Sequence, residues 1–364
     1  MKMAKISNFY HDKPLFGLDI GHSSLKVMQL AEPADPALKE QKPRVVGYGY
    51  ANFDESAQKD GVVVKPEIIA KAAHDLFKNN LIGDITTRRV AIAMPAYRTF
   101  TRALKLPNLQ FKELQEAVEL EAEQYISMPL EDLYLDYEII RQTADSTELF
   151  VVAIPRKIVD SYLNLAEIMD LEIVLIEPTL SSSGRLFSIG HNSEDAAFIV
   201  DFGSVSSDIS IYDKRHTLVT GTVQGGGVNY TEAIMKKLGV TAQEAGLIKT
   251  RYGLGVSKRQ NEIRQALEPT LEQIIKEIRR MIRYYEERYG NDRPVEQLIT
   301  LGGGANMPGL SDYFTQSLRL AVRYLDPWQY LDHTGLQPPA IPDRPMYATV
   351  AGLSLVRPSE VFLP

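Results

Sequence analysis

One short pattern occurs twice in the chain: an apolar strand ends in an aspartate, a glycine turn follows, and a second strand begins. The first copy is Phe16-Gly-Leu-Asp-Ile-Gly-His-Ser-Ser-Leu-Lys-Val-Met-Gln-Leu30, and the second is Ala196-Ala-Phe-Ile-Val-Asp-Phe-Gly-Ser-Val-Ser-Ser-Asp-Ile-Ser-Ile-Tyr212. Each predicts a β-hairpin, because glycine permits a tight turn and the apolar runs suit buried strands. Such a turn presents backbone N–H and hydroxyl groups to a phosphate, and its carboxylate suits a magnesium ion.

A third glycine-rich segment follows late in the chain. Residues 298–310 read Leu-Ile-Thr-Leu-Gly-Gly-Gly-Ala-Asn-Met-Pro-Gly-Leu, which predicts a strand, three glycines and the start of a helix. Backbone without side chains lets a flat ring lie against the chain. The residues predicted to contact such a ring are Gly302, Gly303, Gly304 and Ala305.

The two hairpins supply the candidate phosphate and magnesium ligands. For each serine, the alternative role is a turn hydroxyl that caps its own backbone. For Lys26, the alternative is an exposed strand lysine. Asp19 and Asp201 are the candidate magnesium ligands. The candidate residues for binding the phosphates and their magnesium ion are Asp19, Gly21, Ser23, Ser24, Lys26, Asp201, Gly203, Ser204 and Ser207, together with Gly226 and Gly227 in the glycine run that opens the next helix.

Composition excludes several classes of protein. The chain has 364 residues, no cysteine and a formal net charge of -7. Its length predicts two or more domains, and the absence of cysteine excludes disulfides, thiolate nucleophiles and Cys-ligated zinc. The six histidines are scattered singly, which argues against a transition-metal site. Because no segment predicts nucleic-acid binding, a signal peptide or a membrane span, we expect a cytoplasmic protein without direct membrane insertion.

A block of different character separates the two hairpins. Residues 111–126 predict an acidic amphipathic helix, and alternating patterns over 134–141 and 149–154 predict two strands of a small sheet. The apolar positions of the helix are Leu114, Ala117, Val118, Leu120 and Ala122. We predict residues 1–98 and 156–195 as a first subdomain, 99–155 as an insertion, 196–340 as a second domain with a clamping subdomain at about 225–297, and 341–364 as a C-terminal helix returning to the first domain.

Other segments have simpler predictions. Residues 33–43 predict a polar connection, and the lysine- and arginine-rich run 255–264 predicts an exposed turn. Residues 267–289 predict a long helix with one buried apolar stripe. Residues 347–355 predict a helix of small residues that packs closely against a neighbour.

The two hairpins and the late triple glycine, in this order and spacing, resemble the actin/Hsp70/sugar-kinase superfold, which is ribonuclease H-like. The resemblance implies a two-domain α/β ATPase fold, here with an inserted small α+β subdomain, and ATP with Mg²⁺ as ligands. It also places the long helix beside the base, so that Lys276 and Arg280 flank the ribose or adenine. Their alternative is a solvated helix face. Glu177, at a strand end, takes the position of a residue that orients water for hydrolysis; its alternative is a strand-end acid beside Pro178.

Within this superfold the chain resembles the PilM group, the actin-like component of type IV pilus assembly, which is similar to the cell-division protein FtsA. The resemblance runs nearly end to end. It rests on the first hairpin, on Val90-Ala-Ile-Ala-Met-Pro95, and on the inserted block with Leu106-Pro, Asp136-Tyr and Val151-Val-Ala-Ile-Pro155. The acidic helix of that block and the glycine loop at 302 agree as well.

This resemblance implies a partner and a location. With ATP bound, a PilM-like protein clamps the N-terminal peptide of a PilN-like single-pass inner-membrane protein and links the pilus motor to the envelope complex. The groove is expected between the first subdomain and the inserted block, and self-association is a further possibility. The alternatives are a type II secretion cousin, an FtsA-like membrane tether and a sugar or acetate kinase. The tether predicts a basic amphipathic C-terminal helix, whereas residues 356–364 are short and proline-rich.

Overall fold

The structure is a computed structural model that describes residues 13–31, 42–190, 196–214, 216–290 and 294–357. Most of the connection predicted at 33–43 and of the tail predicted at 356–364 lies outside these residues. The strands of the described residues are β1 Phe16–Ile20, β2 Ser24–Ala31, β3 Arg44–Asn52, β4 Gln58–Lys59, β5 Val62–Val63, β6 Ile82–Gly83, β7 Arg89–Met94, β8 Phe100–Pro107, β9 Leu133–Gln142, β10 Ser146–Pro155, β11 Glu172–Pro178, β12 Ala197–Phe202, β13 Ser206–Asp213, β14 His216–Gln224, β15 Gln297–Leu301 and β16 Ala321–Tyr324.

Helices alternate with these strands. Those of the described residues are α1 Pro66–Asp75, α2 Phe111–Tyr125, α3 Arg156–Ile168, α4 Thr179–Gly190, α5 Gly227–Leu238, α6 Ala242–Arg251, α7 Gln260–Tyr289, α8 Leu310–Leu318 and α9 Ala348–Ser354. None of them is both long and apolar enough to span a membrane.

Contacts within the chain divide it into two compact units. The first contains residues 1–95, 158–190 and 326–364, and the second contains residues 96–157 and 191–325. The inserted block therefore groups with the second unit. The subdomain boundaries given by the sequence remain a prediction.

The first unit is built on a six-stranded mixed sheet in the order β11-β7-β1-β2-β3-β6. Strands β1 and β7 are buried along their whole length, as expected when elements cover both faces of a sheet. Small residues allow α9 to lie close to its neighbours: a Cβ atom on Gly352 would lie 1.9 Å from the carbonyl oxygen of Ser182 in α4. The predicted helix of small residues is confirmed at 348–354.

The second unit contains a five-stranded sheet in the order β14-β13-β12-β15-β16. Its core joins β12 and β13 to the buried stripe of α7, which includes Leu271, Ile278 and Tyr285. The predicted long helix is thus confirmed, and it continues through Pro269. One prediction was wrong: residues 260–264, expected in an exposed turn, form the first turns of α7, because Ile263 and Leu267 extend its buried stripe.

The inserted block forms a three-stranded antiparallel sheet in the order β8-β10-β9, with α2 on one face. Leu114 and Val118 pack on Leu149 and Val151 of the central strand. Leu120, expected in the buried stripe, is instead 62% exposed. The other face of the sheet approaches β14, where the hydroxyls of Thr101 and Thr220 form a hydrogen bond.

Candidate functional site

The first hairpin lies in the first unit and joins β1 to β2 through Gly21, His22 and Ser23. The N–H of Gly21 donates to the carbonyl oxygen of Ser24 at 2.8 Å, which closes the turn. Asp19 and Lys26 are cross-strand partners. The Lys26 Nζ donates to Asp19 Oδ2 at 3.0 Å, and the two side chains are only 9% and 13% exposed.

This ion pair changes the interpretation of the first hairpin. Lys26 is not an exposed strand lysine, because it is buried with its ammonium group at the turn carboxylate. A Cβ atom on Gly21 would lie 3.8 Å from the Lys26 Nζ, so the cation sits beside the turn. The hydroxyl-bearing residues Ser23 and Ser24 are only partly buried. The first hairpin therefore combines a neutralised carboxylate with a cation next to the turn N–H groups.

The second hairpin, in the second unit, repeats the geometry of the first. It joins β12 to β13, and the N–H of Gly203 donates to the carbonyl oxygen of Ser206 at 3.0 Å. Asp201 lies across from Asp208, as Asp19 lies across from Lys26. The two hairpins therefore share the strand register and the positions of the aspartate and the turn glycine, but the residue across from the aspartate is a lysine in the first and an aspartate in the second.

Asp208 is a buried carboxyl group that sequence reasoning missed as a feature of the site. The hydroxyls of Thr222 and Ser206 donate to its two oxygens at 2.6 and 3.1 Å. Burial raises the pKa of Asp208 to about 6, and these two hydrogen bonds oppose that shift. The second hairpin thus places a readily protonated carboxyl group opposite Asp201.

Asp208 should make stability depend on pH. Its pKa is higher in the folded chain than the ordinary 3.8, so the folded state binds the proton first as pH falls. Stability should therefore rise as pH falls from about 6 to about 4, by on the order of 2 kcal/mol. Asp208→Asn should remove this component. Urea unfolding of both proteins across this range measures it, and parallel curves for the two proteins would contradict the assignment.

The glycine run at the start of α5 packs against the second hairpin. A Cβ atom on Gly226 would lie 2.4 Å from the carbonyl oxygen of Gly203, so only glycine fits there. The N–H groups of Gly227 and Val228 donate to the carbonyl oxygens of Gly203 and Ser204, each at 2.9 Å. These contacts give Gly226 and Gly227 a packing role in addition to the predicted phosphate contact.

The serines of the second hairpin differ in exposure. Ser204 is exposed at the turn, whereas Ser207 is fully buried. The Ser207 hydroxyl donates to the carbonyl oxygen of Gly225 at 3.3 Å. Ser207 thus has the alternative role expected for at least one of these serines, a hydroxyl that satisfies neighbouring backbone.

The triple-glycine loop lies against the same hairpin within the second unit. A Cβ atom on Gly302 would lie 2.2 Å from Asp201 Oδ1, and the N–H of Gly304 donates to the carbonyl oxygen of Phe202 at 3.0 Å. Nothing lies within 4 Å of a Cβ placed on Gly303, while Ala305 is buried. The sequence predicts that the loop opens directly into a helix. This prediction was wrong, because turns lie between the loop and α8, which begins at Leu310.

Lys249 is a second residue that sequence reasoning missed. Its Nζ donates to the carbonyl oxygen of Gly227 at 2.7 Å and to the Thr231 hydroxyl at 2.9 Å. Burial lowers the pKa of the Lys249 ammonium group. A positive charge is thus held at the start of α5, beside the second hairpin. Lys249 was missed because α6, the helix that carries it, was not predicted.

Lys276 and Arg280 lie on the exposed side of α7. Arg280 binds both carboxylate oxygens of Glu277, at 2.9 and 2.5 Å. Neither cation forms a hydrogen bond to the glycine loops among the described residues. A different residue of α7, Thr270, lies beside the glycine run, since its methyl group is 3.0 Å from a Cβ placed on Gly225. The adenosine contacts of Lys276 and Arg280 stay a prediction.

Glu177 lies at the end of β11 in the first unit and is 8% exposed. Both of its carboxylate oxygens accept hydrogen bonds from Arg185 of α4 at 2.7 Å, and Arg185 also donates to the carbonyl oxygen of Gly352 at 3.0 Å. This buried pair ties β11, α4 and α9 together. A water-orienting role for Glu177 stays a prediction.

The carboxylates at the two hairpins suit magnesium only in part. Within the part of the chain that the structure describes, no group of three or more His, Cys, Asp or Glu residues can hold a metal ion. Mg²⁺ commonly keeps several waters and binds through one or two carboxylates together with ligand phosphates. Single aspartates at the hairpin turns therefore fit magnesium that arrives with a nucleotide.

Solved structures of other proteins resemble the fold of this chain. A chain of the PilM-PilN type IV pilus biogenesis complex matches with a TM-score of 0.80 at 21% identity, covering 94% of this chain and 98% of that chain. The ethanolamine utilization protein EutJ from Carboxydothermus hydrogenoformans matches with a TM-score of 0.53 at 16% identity, covering 95% of this chain and 91% of that chain. MreB 5 of Spiroplasma citri bound to AMPPNP matches with a TM-score of 0.51 at 14% identity, covering 94% of this chain and 95% of that chain.

These similarities confirm the predicted fold class, a mixed α/β fold of the actin-like ATPase type. The family model described as type IV pilus assembly protein PilM matches residues 17–358. Because this match spans nearly the whole chain, the protein belongs to the PilM family of type IV pilus assembly proteins.

Proposed function

We propose that the chain binds ATP with Mg²⁺ and, in that state, clamps the N-terminal peptide of a PilN-like inner-membrane protein during type IV pilus assembly. The observation that carries the nucleotide part is the repeated hairpin, in which Gly21 and Gly203 close equivalent turns beside Asp19 and Asp201. Membership of the PilM family and the similarity to a chain of a PilM-PilN complex support the partner.

In this proposal the two hairpins contribute different residues to nucleotide binding. Lys26 and the turn hydroxyls of Ser23 and Ser24 bind phosphate oxygens from the first hairpin. From the second hairpin, Ser204 binds phosphate oxygens and Asp201 would hold magnesium or its waters, with Lys249 as a nearby positive charge. Bound magnesium supplies neutralisation of phosphate charge. The loop Gly302–Ala305 receives the base, because Gly303 leaves space for a flat ring.

The inserted block supplies one wall of the peptide groove. Strand β9 is an edge strand, paired only with β10 among the described residues, and it exposes Tyr134 and Ile139 by 39% and 49%. The Arg156 guanidinium lies 4.2 Å from the centre of the Tyr134 ring and fixes its position. An open edge with apolar side chains is suited to backbone pairing with an extended peptide.

Removing these side chains should weaken peptide capture. Tyr134→Ser with Ile139→Ser should raise the Kd of a labelled peptide from the cytosolic N-terminus of the PilN-like protein about tenfold, because two apolar contacts are lost. Fluorescence anisotropy in the presence of ATP measures this. Ile168→Ser, at a side chain 52% exposed in α3, is the matched control. Equal affinity in the double variant and the control would exclude β9 from the groove.

In this proposal the chain is held at the inner membrane through its partner and links that partner to motor and platform components of the pilus. Hydrolysis, where it occurs, is slow. Glu177 orients the attacking water, and Arg185 fixes the carboxylate in place.

A further inference from the structure

A short basic region of the second unit runs from the end of α5 through α6 to the start of α7. Residues 236–259 contain six lysine or arginine residues and one glutamate, so their net charge is +5 in a chain whose total is -7. The cations are Lys236, Lys237, Lys249, Arg251, Lys258 and Arg259. This region should therefore attract an anionic partner that the chain as a whole repels.

Several of these cations are available to a partner. Arg251 and Lys258 are exposed, and among the described residues neither forms an ion pair or hydrogen bond. Arg259 is exposed as well, but it pairs with Glu262 at 2.9 Å. The pKa of Glu262 is lowered mainly by its hydrogen bond from Arg259 and in part by the charge of Lys237, so the end of α5 lies close to this pair.

Exposed apolar side chains alternate with the cations. Leu247 is 60% exposed on α6, and Tyr252 is 43% exposed where that helix ends. Val256 is 94% exposed, the largest value for a large hydrophobic side chain among the described residues. Leu247 and Arg251 are four positions apart and lie on one helical face. Single exposed apolar residues are common, but three within ten residues, interleaved with cations, form an amphipathic surface.

The loop that presents Val256 is held in place by its own backbone. The N–H of Leu254 donates to the carbonyl oxygen of Pro308 at 2.7 Å, and the Gln260 side chain donates to the carbonyl oxygen of Leu254 at 2.9 Å. Gly253 has a φ of +47°, and a Cβ atom there would lie 2.8 Å from the carbonyl oxygen of Pro308. Val256 therefore projects from a fixed base, which prevents it from folding back into the core.

This pattern suits the surface of an anionic membrane better than a protein partner. A stable protein interface needs about 1,000 Å² or more of complementary surface. Here the apolar side chains are separated by cations and lie on a projecting loop and one short helix. At a membrane surface, cations bind lipid phosphate groups while apolar and aromatic side chains enter the boundary between headgroups and acyl chains. Such a contact is peripheral and needs no spanning helix.

We propose that the exposed residues of 247–258 dock the second unit directly on an anionic phospholipid membrane. Arg251 and Lys258 bind lipid phosphate groups, and Val256 enters the headgroup region. This contact is additional to the link to the membrane through a PilN-like partner. It requires neither nucleotide nor peptide, so its failure and the failure of the proposed function are distinguishable.

Flotation of the full chain with lipid vesicles, without nucleotide or peptide, tests the contact. The chain should float with vesicles of phosphatidylglycerol and phosphatidylcholine in equal parts, and not with phosphatidylcholine alone. Salt at about 1 M, where the Debye length is about 3 Å, should reduce binding. Arg251→Gln with Lys258→Gln should lower the partition coefficient at least about tenfold. Lys71→Gln with Lys157→Gln, at exposed lysines of α1 and α3, is the control that removes the same charge.

A label at the tip of the loop tests whether Val256 enters the membrane. Because the chain has no cysteine, Val256→Cys provides a single attachment point for an environment-sensitive dye. The emission of this dye should shift to shorter wavelength with the phosphatidylglycerol vesicles. A dye attached through Leu163→Cys, at an exposed position of α3, should not shift. Circular dichroism establishes that each variant is folded.

Three results would overturn the proposal. The first is equal binding to both kinds of vesicle, or binding to neither. The second is a partition coefficient that is the same for wild type and for Arg251→Gln with Lys258→Gln. The third is a dye at position 256 that stays in water while the chain floats, because the contact with lipid would then lie elsewhere.

Discussion

Asp201→Asn is expected to weaken ATP binding by at least about 10- to 100-fold, and Asp19→Asn is expected to weaken it in the same range. Each change keeps the size of the side chain and removes the charge that holds magnesium or its waters. Without that cation, the phosphates lose most of the neutralisation that favours their binding next to carboxylates. Because asparagine and aspartate are similar in size, Asp19→Asn leaves no large cavity in the first hairpin. Lys26 nevertheless loses its carboxylate partner at 3.0 Å.

Isothermal titration of ATP with Mg²⁺ into each variant measures the effect. Asp170→Asn is the matched control, since the Asp170 carboxylate pairs with Arg88 on the surface with 77% of its side chain exposed. Repeating the titration without Mg²⁺ should narrow the gap between wild type and the variants. Unchanged affinity in both hairpin variants would remove the site assignment.

Arg185→Ala should destabilise the first unit strongly, by about 3 kcal/mol, because it leaves the Glu177 carboxylate buried without its bidentate partner. Glu177 is 8% exposed, so water cannot easily replace the guanidinium. Glu177→Gln should cost less, since the amide can still accept one hydrogen bond from Arg185. The matched pair of variants thus separates the loss of a partner from the loss of charge.

Turnover separates the structural role of Glu177 from its proposed role in hydrolysis. If Glu177 orients water, Glu177→Gln should lower the rate of phosphate release at saturating ATP while the Kd for ATP is kept. Urea unfolding and a phosphate-release assay measure the two effects on the same samples. An Arg185→Ala protein as stable as wild type would contradict the energetic account. A Glu177→Gln protein with unchanged turnover would exclude a role of Glu177 in hydrolysis and leave only its structural ion pair with Arg185.

The elements of the fold were largely predictable because their signals are local. The apolar runs of β1 and β12, the turn glycines Gly21 and Gly203, and the stripe of α7 each specify one structure through burial and backbone freedom. Helix α6 was missed, since its ten residues include Gly246 and bury only Ala245. The start of α7 was misplaced, because polar residues dominate its first turns and Ile263 is the only buried residue among the first five.

The site was less predictable because its chemistry depends on which residues meet across strands. Asp208 and Lys26 occupy the same position in the two hairpins, but only strand register reveals that one faces Asp201 and the other Asp19. The partner of Glu177 is eight residues away in the next helix, and nothing in the local pattern specifies that contact. Residue types were therefore predicted better than their hydrogen-bond partners.

The central claim is that this PilM-family chain uses ATP to hold a PilN-like peptide. The direct measurement is the Kd of the labelled N-terminal peptide for the full-length chain, with ATP and Mg²⁺, with ADP, and with neither. We expect the tightest peptide binding with ATP, and we expect Asp201→Asn to lose that gain in affinity. Peptide binding of equal strength in all three conditions, or no binding in any of them, would contradict it.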